Sequence, residues 1–157
     1  MTTAPEARCR CGNVGCLEAV AAGPAVAARL RAEGLDVTTP QDVVDAVARG
    51  ELRALTALRD AGRSLGEVLA TCVNLLNPSL IVVGGTLSEA GEYLLAGVRE
   101  VVYERSLPLA TNHLRILPTR VGGLGGLIGA GAMVVDEVLS PAVVDAFVAE
   151  RSSRRTA

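Results

Sequence analysis

The sequence predicts an α/β fold, rich in helix with a small sheet, from three observations. From Glu51 to about Leu76, apolar side chains recur at helical spacing over a run too long for a strand, and the run stops at Asn77-Pro78, where a helix cannot continue. Leu80-Ile81-Val82-Val83 is a short unbroken apolar run rich in β-branched residues, which predicts a strand buried on both faces, as parallel sheets require. Leu114-Arg115-Ile116-Leu117-Pro118 predicts a second strand beyond an intervening helix.

At 157 residues the chain fits one domain, long enough to bury about two-thirds of its unfolded surface. Half the residues are apolar, but Tyr93, Tyr103 and Phe147 are the only aromatics, so Val, Leu and Ala must fill the core. Base-stacking platforms for single-stranded nucleic acid need aromatic faces that this chain lacks. A net charge of -2 offers phosphate backbones no broad attraction, so the polypeptide alone is not expected to bind DNA. All fifteen basic residues are arginine, which excludes a lysine Schiff base or a phosphate-loop lysine. No apolar run reaches the length of a membrane span and no signal-peptide pattern opens the chain, so a cytoplasmic protein is expected.

The first element is Cys9-Arg10-Cys11-Gly12-Asn13-Val14-Gly15-Cys16-Leu17-Glu18. Three thiols within eight residues, around two glycines that can take positive φ, have the reach to place sulfurs about 2.3 Å from one zinc ion. In a reducing compartment, clustered thiols favour metal over disulfide. Cys72, in an apolar helical stretch, reads as a small core residue. Glu18 falls in the first turn of the next helix, where exposed amides and the macrodipole favour a carboxylate. It could equally serve as a fixed acceptor for hydroxyl groups.

Leu17 to Glu33 reads as helix, either kinked at Gly23-Pro24 or restarted there with Pro24 in the first turn, and capped by Gly34. Thr39-Pro40-Gln41-Asp42 is a helix start with Thr39 as N-cap, and that helix ends near Gly50. The long helix is expected to bury Leu52, Leu55, Leu58, Leu65, Val68, Leu69, Cys72, Val73 and Leu76. Gly84-Gly85-Thr86 follows the first strand, and after Ser88 a new helix carries Tyr93, Leu94, Val98 and Val101. Such a turn can bring amides and a helix N-terminus to an anion, or can simply let a helix pack on its sheet.

His113 reads as a solvated loop residue. Val121 to Gly131 holds six glycines but does not satisfy G-x-G-x-x-G. It reads as a loop opening a helix to about Leu139, with Leu127, Ile128, Met133, Val134, Val138 and Leu139 facing the core. A short helix from Pro141 to about Glu150 closes the fold. Residues 1–8 and 151–157 are expected to be disordered ends.

The run C-x-C-G-x-x-G-C-x-E from Cys9 to Glu18 resembles the zinc motif of the ROK family, which groups bacterial sugar kinases with sugar-responsive repressors. The segment from Asn77 to Gly85 is similar to that family's N-P-x-x-I-x-x-G-G stretch. The resemblance covers about residues 8–148 and implies the C-terminal part of an actin-like, ribonuclease H-like ATPase fold, with residues 9–150 as its C-terminal lobe. It implies zinc at Cys9, Cys11 and Cys16, a sugar contact from Glu18, and nucleotide near Gly84 and Gly85 in kinase members.

In the family a histidine within Glu-x-Gly-His, upstream of the first cysteine, completes the zinc site. No histidine stands among residues 1–8, so the site is expected to be one ligand short. A kinase of this family also needs an Asp-x-Gly-x-Thr phosphate loop and an aspartate base, and neither motif occurs here. The expected function is the sugar-sensing half of a transcriptional regulator. It would take a sugar or sugar phosphate, form a homo-oligomer, and reach DNA only through an upstream domain outside this chain. The segment Gly97 to Thr111 looks more like regulator members. The alternative is a fragment of an ATP-dependent, glucokinase-like enzyme, inactive alone.

Overall fold

The computed structural model describes residues 7–155, and its elements follow the punctuation of the sequence. After the thiol loop come α1 (Glu18–Ala21), α2 (Gly23–Ala32), α3 (Pro40–Ala48), α4 (Leu52–Leu76), β1 (Leu80–Val83), α5 (Glu92–Arg105), α6 (Pro108–Thr111), β2 (Arg115–Pro118), α7 (Gly125–Val138) and α8 (Pro141–Arg155). Residues up to Gly122 form one compact unit and those from Gly123 a second.

Pro24 lies in the first turn of α2, so the helix restarts there instead of kinking. Thr39 caps α3 as expected and does so through a full capping box. Its hydroxyl accepts from the Asp42 N–H at 3.2 Å, while the Asp42 carboxylate accepts from the Thr39 N–H at 2.8 Å. Helix α4 ends on Asn77 in the left-handed region, φ +46°, just before Pro78.

The core of the first unit gathers Leu30, Val43, Leu58, Val73, Leu95, Val98 and Val102 around α4 and α5. The face of α4 that is buried is not the leucine stripe. Its buried residues are Ala54, Ala57, Leu58, Ala61, Gly62, Gly66, Ala70 and Val73, while Leu52 and Leu76 are more than two-thirds exposed. Val68 is also exposed, and Leu55, Leu65, Leu69 and Cys72 are half-buried. The reason is the closeness of α5. A Cβ on Gly62 would stand 2.2 Å from the Leu94 carbonyl oxygen, a distance only a small-residue face permits. Glu100 brackets the same crossing by pairing with Arg59 at 2.9 Å and Arg63 at 3.3 Å.

β1 and β2 pair in parallel, Leu80 opposite Arg115 through Val83 opposite Pro118. The expected burial of β1 on both faces is not found: Val83 is buried, but Leu80 and Val82, which alternate to the other face, are about half exposed. In this two-stranded sheet Ile81 and Val83 pack on the core of the first unit, and the alternate residues stay open. Arg99 ties α5 to β2 by donating to the Ile116 carbonyl at 2.9 Å.

In the second unit, α7 spans the glycine-rich run as expected, yet Leu127, Ile128, Met133, Val134, Val138 and Leu139 are all at least half exposed. Two helices cannot enclose a core, so the expected inward face stays open. α8 continues to Arg155, past the expected start of the tail at 151, because Ala, Glu and Arg carry a helix onward and no breaker intervenes. At the other end Arg8 forms an antiparallel bridge with Val14, and residues 1–6, like 156–157, lie outside the described residues. No single helix among the described residues is long and apolar enough to cross a membrane.

Candidate metal and sugar site

The thiol loop is a small hairpin. Gly15 N–H donates to the Ala7 carbonyl at 2.9 Å, Cys9 N–H to the Asn13 carbonyl at 2.8 Å, and Gly12 N–H to the Cys9 carbonyl at 3.0 Å. Gly12 and Gly15 take φ of +90° and +70°, where a side chain would be strained. This double reversal turns all three thiols to one point, their sulfurs lying within 4.8 Å of one another and Cys11 Sγ 3.7 Å from Cys16 Sγ. Sulfurs about 2.3 Å from a tetrahedral zinc stand about 3.8 Å apart, so Cys11 and Cys16 have the spacing of two zinc ligands, and the three thiols together are near enough to hold a metal ion. Among the described residues, the ligating group consists of these three cysteines; His113 sits exposed before β2 and is not part of it.

The thiols differ electrostatically. The backbone N–H of Asn13, with hydrogen bonds from Cys9 and Cys16, holds Cys11 below the ordinary thiol value. Cys16, hydrogen-bonded to Cys11 and secondarily desolvated, is pushed up to about 11. Asn13 Nδ2 adds a contact to Cys11 Sγ at 3.6 Å. Cys72 lies apart, half-buried on α4.

From Cys16 the chain turns directly into α1, with Ala19 N–H donating to the Cys16 carbonyl at 3.0 Å. Glu18 occupies the first turn, exposed, and no side chain caps that helix. It walls a cavity of about 300 Å³ together with Arg8, Cys9, Arg10, Pro24 and Ala28. The structure therefore brings Glu18 and the metal loop to one groove. The two arginines, which the sequence reading passed over, place cations there; their alternation with the cysteines was the available signal. A carboxylate beside two guanidinium groups can accept from sugar hydroxyls and balance an anionic substituent.

Gly84 and Gly85 line a second cavity, of about 250 Å³, on the far side of the α1–α2 junction, and Ala22 and Pro24 wall both cavities. Gly85, at φ +93°, starts a 3₁₀ turn, Thr86–Ala90, ahead of the α-helix expected after Ser88. The cause is Ser88, whose N–H and hydroxyl both donate to the Gly85 carbonyl, at 2.9 and 2.7 Å. Helix α5 begins only at Glu92, so its N-terminal amides do not follow directly on Gly84 and Gly85. A larger cavity of about 590 Å³ runs beside α4, but Arg29, Arg63 and Arg105 on its walls are each ion-paired to a carboxylate.

The ROK family model matches residues 1–137. Among curated relatives, the DNA-binding transcriptional repressor Mlc of Escherichia coli is 32% identical over 139 residues, covering 82% of this chain and 34% of the repressor. A glucokinase of Halalkalibacterium halodurans is also 32% identical, over 151 residues, covering 85% of this chain and 46% of the enzyme. The chain thus spans from a third to just under half the length of these relatives. Among solved structures, a ROK family glucokinase from Streptomyces griseus in complex with glucose and AMPPNP superposes with a TM-score of 0.67 at 28% identity, over 82% of this chain and 47% of that one. The fold is the actin-like ATPase fold of such proteins, here helix-rich with a small parallel sheet.

Proposed function

The chain belongs to the ROK family, and from that premise we propose that it is the sugar-sensing, self-associating half of a cytoplasmic transcriptional regulator whose DNA-binding domain lies outside this chain. The observation that supports this reading is the shared groove, in which Glu18 stands beside Cys9 at the mouth of the thiol hairpin. Cys9, Cys11 and Cys16 would hold zinc, with water or a foreign group as fourth ligand. The ion supplies a rigid cross-link when bound. Stiffening the hairpin fixes Leu17 and hence the direction of α1, so the Glu18 carboxylate meets sugar hydroxyls without paying for its own ordering. Arg8 and Arg10 suit a phosphate on the same sugar.

Calorimetry with glucose as probe tests this. Replacing Glu18 by Ala should weaken binding about tenfold or more, since a hydrogen bond to a charged acceptor is worth about 1.5–3 kcal/mol. Equal affinity in the variant overturns the role of Glu18. Self-association is measured by sedimentation equilibrium of the whole chain.

The glucokinase relative, equal in identity to the repressor, favours a second reading. On that reading the chain is part of an ATP-dependent sugar kinase, and nucleotide approaches Gly84 and Gly85 across the Ala22–Pro24 wall from the sugar. The 157 residues contain no Asp-x-Gly-x-Thr loop, so alone they should not phosphorylate glucose in the presence of ATP and magnesium. Turnover above background in a coupled assay would favour the enzyme.

A further inference from the structure

We propose that Cys11 and Cys16 form a reversible oxidative modification site, closing to an intraloop disulfide when a hydroperoxide reaches the metal-free hairpin. Their sulfurs already lie 3.7 Å apart. A bond of about 2.05 Å therefore needs a closure of less than 2 Å. Gly12 and Gly15 lie between them and already hold the reversed backbone that brings the two sulfurs together. Cys11 is exposed, so a small peroxide meets it first, and Cys16, half-buried, is placed behind it to resolve the product. Cys9 is less free to move, because its N–H and its carbonyl are both bonded across the hairpin.

The chemistry takes two steps. The Cys11 sulfur attacks the peroxide O–O bond; an S–O bond forms, the O–O bond breaks, and the thiol proton leaves with the departing oxygen as water or alcohol. Cys11 is then a sulfenic acid, oxidised by two electrons. The Cys16 sulfur attacks it, the S–S bond forms, the S–O bond breaks, and the hydroxyl leaves as water with the Cys16 proton. The sum is two thiols and one hydroperoxide giving one disulfide, one water and one alcohol or second water. A dithiol reductant reverses it.

This inference rests on the thiol geometry and not on sugar binding, and the experiment keeps the two apart. The full chain, stripped of metal, is treated with one molar equivalent of hydrogen peroxide, alkylated and digested with trypsin. Cleavage after Arg8, Arg10 and Arg29 releases Cys9-Arg10 separately from the peptide Cys11 to Arg29. The expected product is the latter peptide two hydrogens lighter and unalkylated, with Cys9 and Cys72 still alkylated. In the Cys16→Ser chain a sulfenic-acid trap should label Cys11, and in the Cys9→Ser chain the disulfide should form as before. Zinc added beforehand should slow closure at least tenfold. A dipeptide Cys9-Arg10 linked to either partner, label-free Cys11 in Cys16→Ser, or oxidation of Cys72 ahead of the loop would overturn the assignment. Unchanged closure with zinc, the rest holding, overturns the metal reading alone.

Discussion

Gly97 on α5 meets Arg59 on α4 so closely that a Cβ on residue 97 would stand 2.2 Å from the Arg59 carbonyl oxygen. Gly62 stands in the same relation to Leu94. The two helices therefore touch backbone to backbone, and the obstacle to any larger residue is main chain, which cannot rotate away as a side chain could.

Gly97→Ala should accordingly destabilise the chain, although alanine favours helix by about 1 kcal/mol over glycine. Overpacking costs about 1–3 kcal/mol and, against backbone that cannot rotate away, should fall at the upper end and outweigh that gain, for a net loss of up to about 2 kcal/mol in urea unfolding. Gly62→Ala should behave alike. The double variant should lose less than the sum, because the first substitution already separates the helices for the second. Full additivity would show that the two contacts yield independently.

Acid should loosen α3 before the rest. Asp42 is held down at about 2, from an ordinary 3.8, first by the Thr38 N–H and then by the Thr39 N–H and the two threonine hydroxyls. A depressed folded-state value means stability that is present above 3.8 and is lost as the pH falls from there through about 2. Amide exchange of α3 measured across that window should rise in the native chain. Asp42→Asn should flatten the response.

Asn77 closes α4 in the left-handed region, which glycine enters freely and β-branched residues resist. Asn77→Gly should leave urea stability within a few tenths of a kcal/mol, and Asn77→Val should cost about 1–2 kcal/mol. The reverse order would place the importance of Asn77 in its side chain and not its backbone.

Metal uptake should require all three loop thiols. Cobalt titration followed by its thiolate absorption should give one ion per chain in the native protein and in Cys72→Ser, and at least tenfold weaker uptake in Cys9→Ser, Cys11→Ser or Cys16→Ser. Affinity should fall with falling pH, because a thiol must lose its proton to bind. Equal uptake in the Cys16→Ser chain would remove that residue from the ligand set.

Where local chemistry decided the outcome, the sequence was readable. Thr39 with Asp42, Asn77 before Pro78, and the glycines between the cysteines each announce a backbone conformation that neighbours alone enforce. The convergence of the three sulfurs was legible for the same reason. The buried face of α4 was not, because a periodicity search weights bulky residues. Gly62 and Gly66 are buried through the nearness of α5, a fact recorded only later in the chain, at Leu94, Gly97 and Val98. The helix start beyond Ser88 was legible, but the 3₁₀ turn ahead of it was not, since a hydroxyl capturing one carbonyl leaves no mark on hydrophobic spacing. The exposed half of β1 likewise depends on how many strands flank it, which four residues cannot reveal.

The hairpin from Ala7 to Gly15 is closed by backbone hydrogen bonds. Its backbone frame is thus held without a metal bond, so that unloading should free the thiols and loosen the entry to α1 while leaving the helices themselves intact. Circular dichroism should be nearly the same with and without a chelator, and exchange of one thiophilic cation for another should be rapid, unlike the behaviour of small domains that melt when their zinc departs.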